Sequence, residues 1–197
     1  MNPRSLVLYH ADCTDGFTAA WVAWGWFGDM ADYVAVRHGD APPDIKGRDL
    51  YILDFSYDRP TIQRMIEEAY HLTLLDHHKT AEHDLRPFVD HDEATVRFDM
   101  NQCGSMMAYK FFNPNRPIPA LVHYVNDRDL YRWKLKNSRA VNAYIDSCPF
   151  GFETWDILSK THPNDLAKYG NPLLRYRETL IEEAVRRARP ELIDGHR

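Results

Sequence analysis

Leu50-Tyr51-Ile52-Leu53-Asp54, the segment Arg59 to Tyr70, and Leu72-Thr73-Leu74-Leu75-Asp76-His77-His78 form one passage that sets the architecture. Its two apolar runs are short and rich in Leu, as strands buried on both faces are. Between them Ile62, Met65, Ile66 and Ala69 recur at helical spacing. Pro60 suits the first turn of that helix, where its missing N–H has no partner to lose. Strand, helix and strand make one βαβ unit, which sets the two strands parallel. Each strand hands over directly to chemistry: Asp54 follows the first, and Asp76, His77 and His78 follow the second.

Working outward, Ser5 to Tyr9 reads as an earlier strand and Gly16 to Gly28 as an apolar helix carrying Trp21, Trp24 and Trp26. Asp32 to Val36 reads as a strand, Asp40 to Gly47 as a Pro/Gly loop, Thr95 to Phe98 as a strand and Gly104 to Phe112 as a helix. The expected fold is α/β, a doubly wound, mostly parallel sheet with helices on both faces, over residues 1–135. From Pro114 the character turns helical. Ile118 to Asp129 carries Leu121, Val122 and Val125 on one face, Ala140 to Ile145 and Thr154 to Leu158 are shorter pieces, and Asn171 to Arg189 is a long amphipathic segment. Residues 136–197 therefore read as a helical C-terminal extension, or as a linker. Arg175, Arg177, Arg186 and Arg187 lie among acidic neighbours and read as a solvated helix face.

Three strand ends carry ligand-type residues. The first is followed by His10-Ala11-Asp12-Cys13-Thr14-Asp15-Gly16, the second by Asp54, the third by Asp76-His77-His78. One Asp after a strand is commonly a turn or cap residue. In an open parallel sheet, however, side chains past the carboxyl ends of the strands share one crevice. Three such ends rich in His and Asp point to a divalent metal centre, for which manganese, zinc, iron or cobalt are suited.

This arrangement resembles the DHH phosphoesterases. The likeness runs through Tyr9 to Trp21, through Asp54, through Asp76-His77-His78 and through Asp127-Arg128-Asp129-Leu130-Tyr131-Arg132-Trp133, four motifs in order over roughly the first 135 residues. That family includes RecJ-type exonucleases, nano-RNases, cyclic-dinucleotide phosphodiesterases and family II pyrophosphatases. The resemblance implies hydrolysis of phosphodiester bonds in short oligonucleotides or small, including cyclic, dinucleotides. It implies two divalent cations, manganese first and magnesium, cobalt or zinc as alternatives, sharing and acidifying a water. His10 would serve one ion, Asp15 the other, Asp54 would bridge, and His77 would ligate. His78 would face the substrate phosphate or give a proton to the leaving oxygen. Asp76 would ligate or orient an imidazole. Many relatives have a carboxylate two positions before the residue equivalent to Asp15. That position is Cys13 here, so Asp12 is taken as the ligand, with Cys13 as the alternative for a softer ion. In the fourth motif Asp129 is taken as the ligand and Asp127 as structural.

Lesser candidates surround these. Gln102-Cys103-Gly104-Ser105 opens a helix, so the amides of Gly104 and Ser105 suit either a substrate phosphate or a plain N-terminal cap. Asp90-His91-Asp92-Glu93 reads as a solvated loop, His83 and His123 as surface or helix residues, and Trp21 and Trp24 as core. Relatives with two domains continue into a Gly-rich substrate domain. This sequence reaches Gly195-His196-Arg197 without one, so either a natural single-domain version or a piece cut at the linker is expected, its substrate-recognising half missing or replaced by a partner subunit. That weighs against pyrophosphatase, and the alternative from another class is a degenerate DHH module that binds metal or nucleotide without turnover.

Composition sets limits. A net charge of −5 gives no basic footprint for long duplex nucleic acid, although two divalent ions would bring the loaded protein to about −1. Three widely spaced cysteines do not form a disulfide framework, which suits a reducing cytoplasm. Met1-Asn2-Pro3-Arg4 leads into a strand without an apolar targeting segment, and no window reaches the roughly 18 apolar residues of a membrane span. A homo-oligomer is compatible with all of this.

Overall fold

The computed structural model describes residues 4–188. Met1 to Pro3, Arg189 at the end of the last expected helix, and Gly195-His196-Arg197 lie outside the described residues. The elements run β1 (Ser5–His10), α1 (Thr14–Phe27), β2 (Ala31–Val36), β3 (Asp49–Leu53), α2 (Arg59–Glu68), β4 (His71–Asp76), α3 (Lys79–Leu85), β5 (Ala94–Phe98), α4 (Gly104–Phe112), α5 (Ala120–Asp129), α6 (Ser138–Ser147), α7 (Phe152–Lys160) and α8 (Pro163–Arg187).

The five strands form one parallel sheet in the order β2-β1-β3-β4-β5. The chain leaves β1 in one direction to reach β2 and returns to its other side for β3. The switch point therefore falls at β1 and β3, where such sheets open a crevice beyond their carboxyl ends. Side chains alternate across the sheet. Leu6, Leu8, Leu50, Ile52, Leu72 and Leu74 face Ile62, Met65 and Ile66 of α2 and Leu85 of α3. Val7, Leu53 and Leu75 face the opposite way, toward α1 and α4. Both faces are covered, which is why these strands read as unbroken apolar runs.

α1 is buried from Asp15 through Ala23 because it is packed on both sides, by the sheet and by the later helices. Trp155 of α7 is fully buried and donates its indole N–H to Thr18 at 2.9 Å, while Trp21 donates to Asp156 at 3.1 Å. Val141 and Ile145 of α6 and Leu166 and Ala167 of α8 belong to the same core. The first part of segment 136–197 thus completes the core over α1, whereas Leu180, Ile181 and Val185 farther along α8 are exposed. Trp21 is core as the sequence indicates, and Arg175, Arg177, Arg186 and Arg187 are exposed. Among the described residues no helix is long and apolar enough to cross a membrane.

One contact sets the spacing of α6 and α8. A Cβ added at Gly170 would overlap the carbonyl oxygen of Ala140 and lie 2.6 Å from its carbon. Both are backbone atoms of a packed helix and cannot give way locally. Gly170→Ala should therefore lower stability by roughly 2 kcal/mol, read as a lower urea midpoint. An unchanged midpoint would show that the two helices are not packed this closely.

Candidate metal centre

β1 delivers His10 as its last residue, and α1 begins four positions later with Cys13 as the residue before its first turn. Asp15, in that turn, is 1% exposed. Its carboxylate accepts the N–H groups of Gly104 at 2.6 Å and Ser105 at 3.0 Å. It therefore caps α4, a helix almost ninety residues away in sequence, and anion and helix dipole attract. The amides of Gly104 and Ser105, expected either to hold a substrate phosphate or to be capped, are engaged by Asp15.

β3 delivers Asp54, also 1% exposed, at a backbone φ of +57°. A non-glycine residue rarely adopts that region outside sites the surroundings over-determine. Gly104 presses against it: a Cβ there would lie 2.7 Å from Oδ1 and 2.8 Å from Cα of Asp54. Only glycine lets α4 approach this closely. The Oδ1 atom of Asp54 is buried and accepts no hydrogen bond.

β4 ends in Asp76, which is fully buried and fully used. It accepts from Ser56 Oγ at 2.6 Å, from the His77 N–H at 2.7 Å and from the His78 ring at Nδ1, 2.6 Å away. Asp76 therefore orients the loop and its imidazole, the second of the two roles open to it, and does not join the groups of ligand atoms described below. The His78 bond lifts that imidazole above its usual pKa and leaves Nε2 for a ligand. His77 points inward, with Nε2 3.2 Å from Asp54, 3.4 Å from Asp129 and 3.8 Å from Asp15.

Three sets of ligand atoms lie within 4.8 Å of one another: His10, Cys13 and Asp54; Asp54, His77 and His78; Asp15, His77 and Asp129. Asp54 and His77 link the sets into one cluster. Its electrostatics favour a cation. Burial, and then the Asp15 carboxylate, push Asp54 well above the usual carboxylate range, and the same two causes raise Asp129 to about 7. Burial lowers His77 and His10, keeping the imidazoles neutral and able to ligate. Carboxylates buried together without a counterion repel one another. An orphaned carboxylate oxygen, neutral imidazoles and a thiol on one rim fit a divalent ion pair.

Asp12 departs from expectation. Its side chain is 70% exposed and is held by Arg37 through Nη2 at 2.6 Å and Nε at 2.9 Å. A φ of +52° at Asp12 turns it out of the crevice, and Cys13 takes the inner position. Asp127 is structural, accepting from Lys134 N–H at 2.9 Å, Leu135 N–H at 3.2 Å and Ser138 Oγ at 2.7 Å, so that Asp129 alone of the pair reaches the cluster. Asp90, Asp92, Glu93, His83 and His123 are exposed, and His91 lies with the first three in the same turn.

Ser56, Arg37 and His38 were missed by sequence reasoning. The His38 ring lies 5.5 Å from that of His10 and 4.9 Å from Phe55. It follows the end of β2, so the strand-end rule that found the other residues would have found it too.

No family model matches this chain. It is 25% identical, over 199 aligned positions, to an uncharacterized protein of Acanthamoeba polyphaga mimivirus. That alignment takes in 92% of this chain and 47% of the viral protein, so the chain spans about half the length of the curated relative it matches. A crystal structure of an uncharacterized protein from Helicobacter pylori G27 has a similar fold, with a TM-score of 0.52 and 15% identity over 86% of this chain and 57% of that one.

The cluster has a cost that pH reveals. A carboxyl raised to about 7 when folded, from roughly 3.9 unfolded, binds more protons in the folded state. That stabilising contribution is complete below the unfolded value and is lost as pH rises through 7. In chelator, the melting-temperature advantage of Asp129→Asn over the parent should therefore grow between about pH 5 and about pH 8. A difference independent of pH would show that Asp129 is not crowded by its neighbours.

Proposed function

We propose that this chain is a metal-dependent phosphoesterase of the DHH type, cleaving phosphodiester bonds in short oligonucleotides or small, including cyclic, dinucleotides. The buried, unpartnered Oδ1 of Asp54 among His77, Asp15, Asp129, His10 and Cys13 carries the reading. Apart from a long contact from the Cys13 thiol to Oδ2, that carboxylate has no hydrogen bond to offset its burial, which is unfavourable. It becomes intelligible as a bridging ligand.

In this reading His10, Cys13 and Asp54 would hold one ion, and Asp54, His77, Asp15 and Asp129 the other. Two such ions, when bound, supply charge stabilisation at the phosphoryl oxygens and an acidified water. The protein's own contributions are positional. Gly104 and Ser105 fix the Asp15 carboxylate, and Gly104 leaves room for Asp54 at its unusual φ. Ser56 fixes Asp76, and Asp76 fixes the His78 ring. With Nδ1 engaged and its pKa raised by that bond, His78 can hold a proton at Nε2 near neutral pH and pass it to the departing oxygen. His78 is 44% exposed, as a residue that meets substrate must be. A cytoplasmic setting is part of the proposal, on the three free thiols among the described residues, one at the proposed centre.

The test is hydrolysis of a two-nucleotide RNA, a cyclic dinucleotide, bis-p-nitrophenyl phosphate and pyrophosphate, with manganese and with chelator. Manganese-dependent cleavage of a dinucleotide is expected. Asp54→Asn and His77→Ala should lose most of it while folded, and His78→Gln should lose roughly 10²-fold in kcat. Metal binding without turnover of any substrate would replace this reading with a metal- or nucleotide-binding module, and pyrophosphate as the one substrate cleaved would move it to a pyrophosphatase.

A further inference from the structure

We infer that the two halves of this centre are chemically unequal, Cys13 making the His10 side a thiolate site for zinc, cobalt or iron(II), while the carboxylate-rich side takes manganese or magnesium. The inference rests on the metal centre proposed above and concerns which ion each half holds.

The first observation is an exchange of neighbours. Asp12 and Cys13 compete for one inward position, and the backbone decides between them. Asp12 occupies the left-handed region and its carboxylate lies on Arg37, on the outer side of the loop. Cys13 has an extended φ of −119° and lies 3.7 Å, through Sγ, from Asp54 Oδ2. The second observation is independent of the thiol. His10 Nδ1 lies 3.9 Å from the same Asp54 oxygen. His10, Cys13 and Asp54 each offer a ligand atom within 4.8 Å of the others. An imidazole, a thiol and a carboxylate therefore converge on one volume.

The other side is built differently. Among the described residues His77 is the one imidazole set directly among Asp15, Asp54 and Asp129, all within 3.8 Å of its Nε2. Three carboxylates and one nitrogen form a hard donor set, which suits manganese and magnesium. One thiolate, one imidazole and a shared carboxylate form a softer set, which suits zinc, cobalt and iron(II). Taking up the ion displaces the thiol proton to solvent, so Sγ binds as the thiolate. Nothing is oxidised.

Cobalt(II) is the probe, because a thiolate ligand gives it a charge-transfer absorption in the near ultraviolet that oxygen and nitrogen ligands do not. Titrating the full chain under reducing conditions should produce that band in the parent. It should persist in Asp12→Asn and vanish in Cys13→Ser. In competition, Cys13→Asp should lower the preference for zinc over manganese by roughly tenfold or more, with the protein still folded by circular dichroism. If a Cys13 variant fails to fold, a parent band that persists in both Cys103→Ser and Cys148→Ser assigns the thiolate to Cys13, and a band lost in either overturns that assignment. Cobalt bound without the band, and lost in Asp54→Asn, would overturn the thiolate assignment and leave the metal centre standing. Absence of any metal binding in the parent would overturn both.

Discussion

Asp54 sits at the carboxyl end of a central strand with its carboxylate sealed from water, its backbone in the left-handed region and one oxygen accepting no hydrogen bond. Each of those conditions is unfavourable, and the neighbours are arranged to maintain all three. α4 closes against it through Gly104, where any side chain would collide with Asp54 itself. Asp15 holds that helix end in place through two amides, so the carboxylate that crowds Asp54 is also the one that anchors its lid. The Asp54 N–H still continues the sheet ladder to Leu75, which fixes its height relative to β4 and therefore to His77. The sheet supplies rigidity, and the crevice at its switch point supplies a place where residues from separate strand ends meet.

The fold was legible because its signals are local. A parallel sheet covered on both faces needs unbroken apolar strands, and Leu50 to Leu53 and Leu72 to Leu75 announce them. α4 was read with the ends it has, Gly104 and Phe112, since a helix bounded by a small residue and a terminal aromatic has little ambiguity. α3 was overlooked because Lys79 to Leu85 buries only Leu85 and shows no apolar stripe. α8 begins eight residues earlier than its periodicity suggested. Pro163 opens it within a first turn, and Pro172 lies inside it, where a sequence reading expects an interruption. The role of α6, α7 and the start of α8 was also invisible locally: Trp155 and Leu166 are core only because α1 has a second face to cover.

The site divides along the same line between local and tertiary information. Residue types at strand ends gave His10, Asp15, Asp54 and His77, and the resemblance gave Asp129 at the end of α5; the fold brings all of them together. Which of Asp12 and Cys13 turns inward depends on one φ angle and on Arg37 reaching across from the end of β2, and neither can be read from the loop itself. The amides opening α4 read in the sequence as a cradle for a substrate phosphate or as a plain N-terminal cap, and the structure removes the first by engaging both with a carboxylate. Their anion is Asp15 of the same chain, a partner that only the packed structure identifies.

Anomalous diffraction from crystals equilibrated with manganese addresses the central claim most directly. The account predicts two manganese peaks flanking the Asp54 carboxylate, one beside His10 and Cys13 and the other beside Asp15, His77 and Asp129. An empty cluster at saturating manganese, or Asp54 Oδ1 paired with a protein donor instead of an ion, would contradict it.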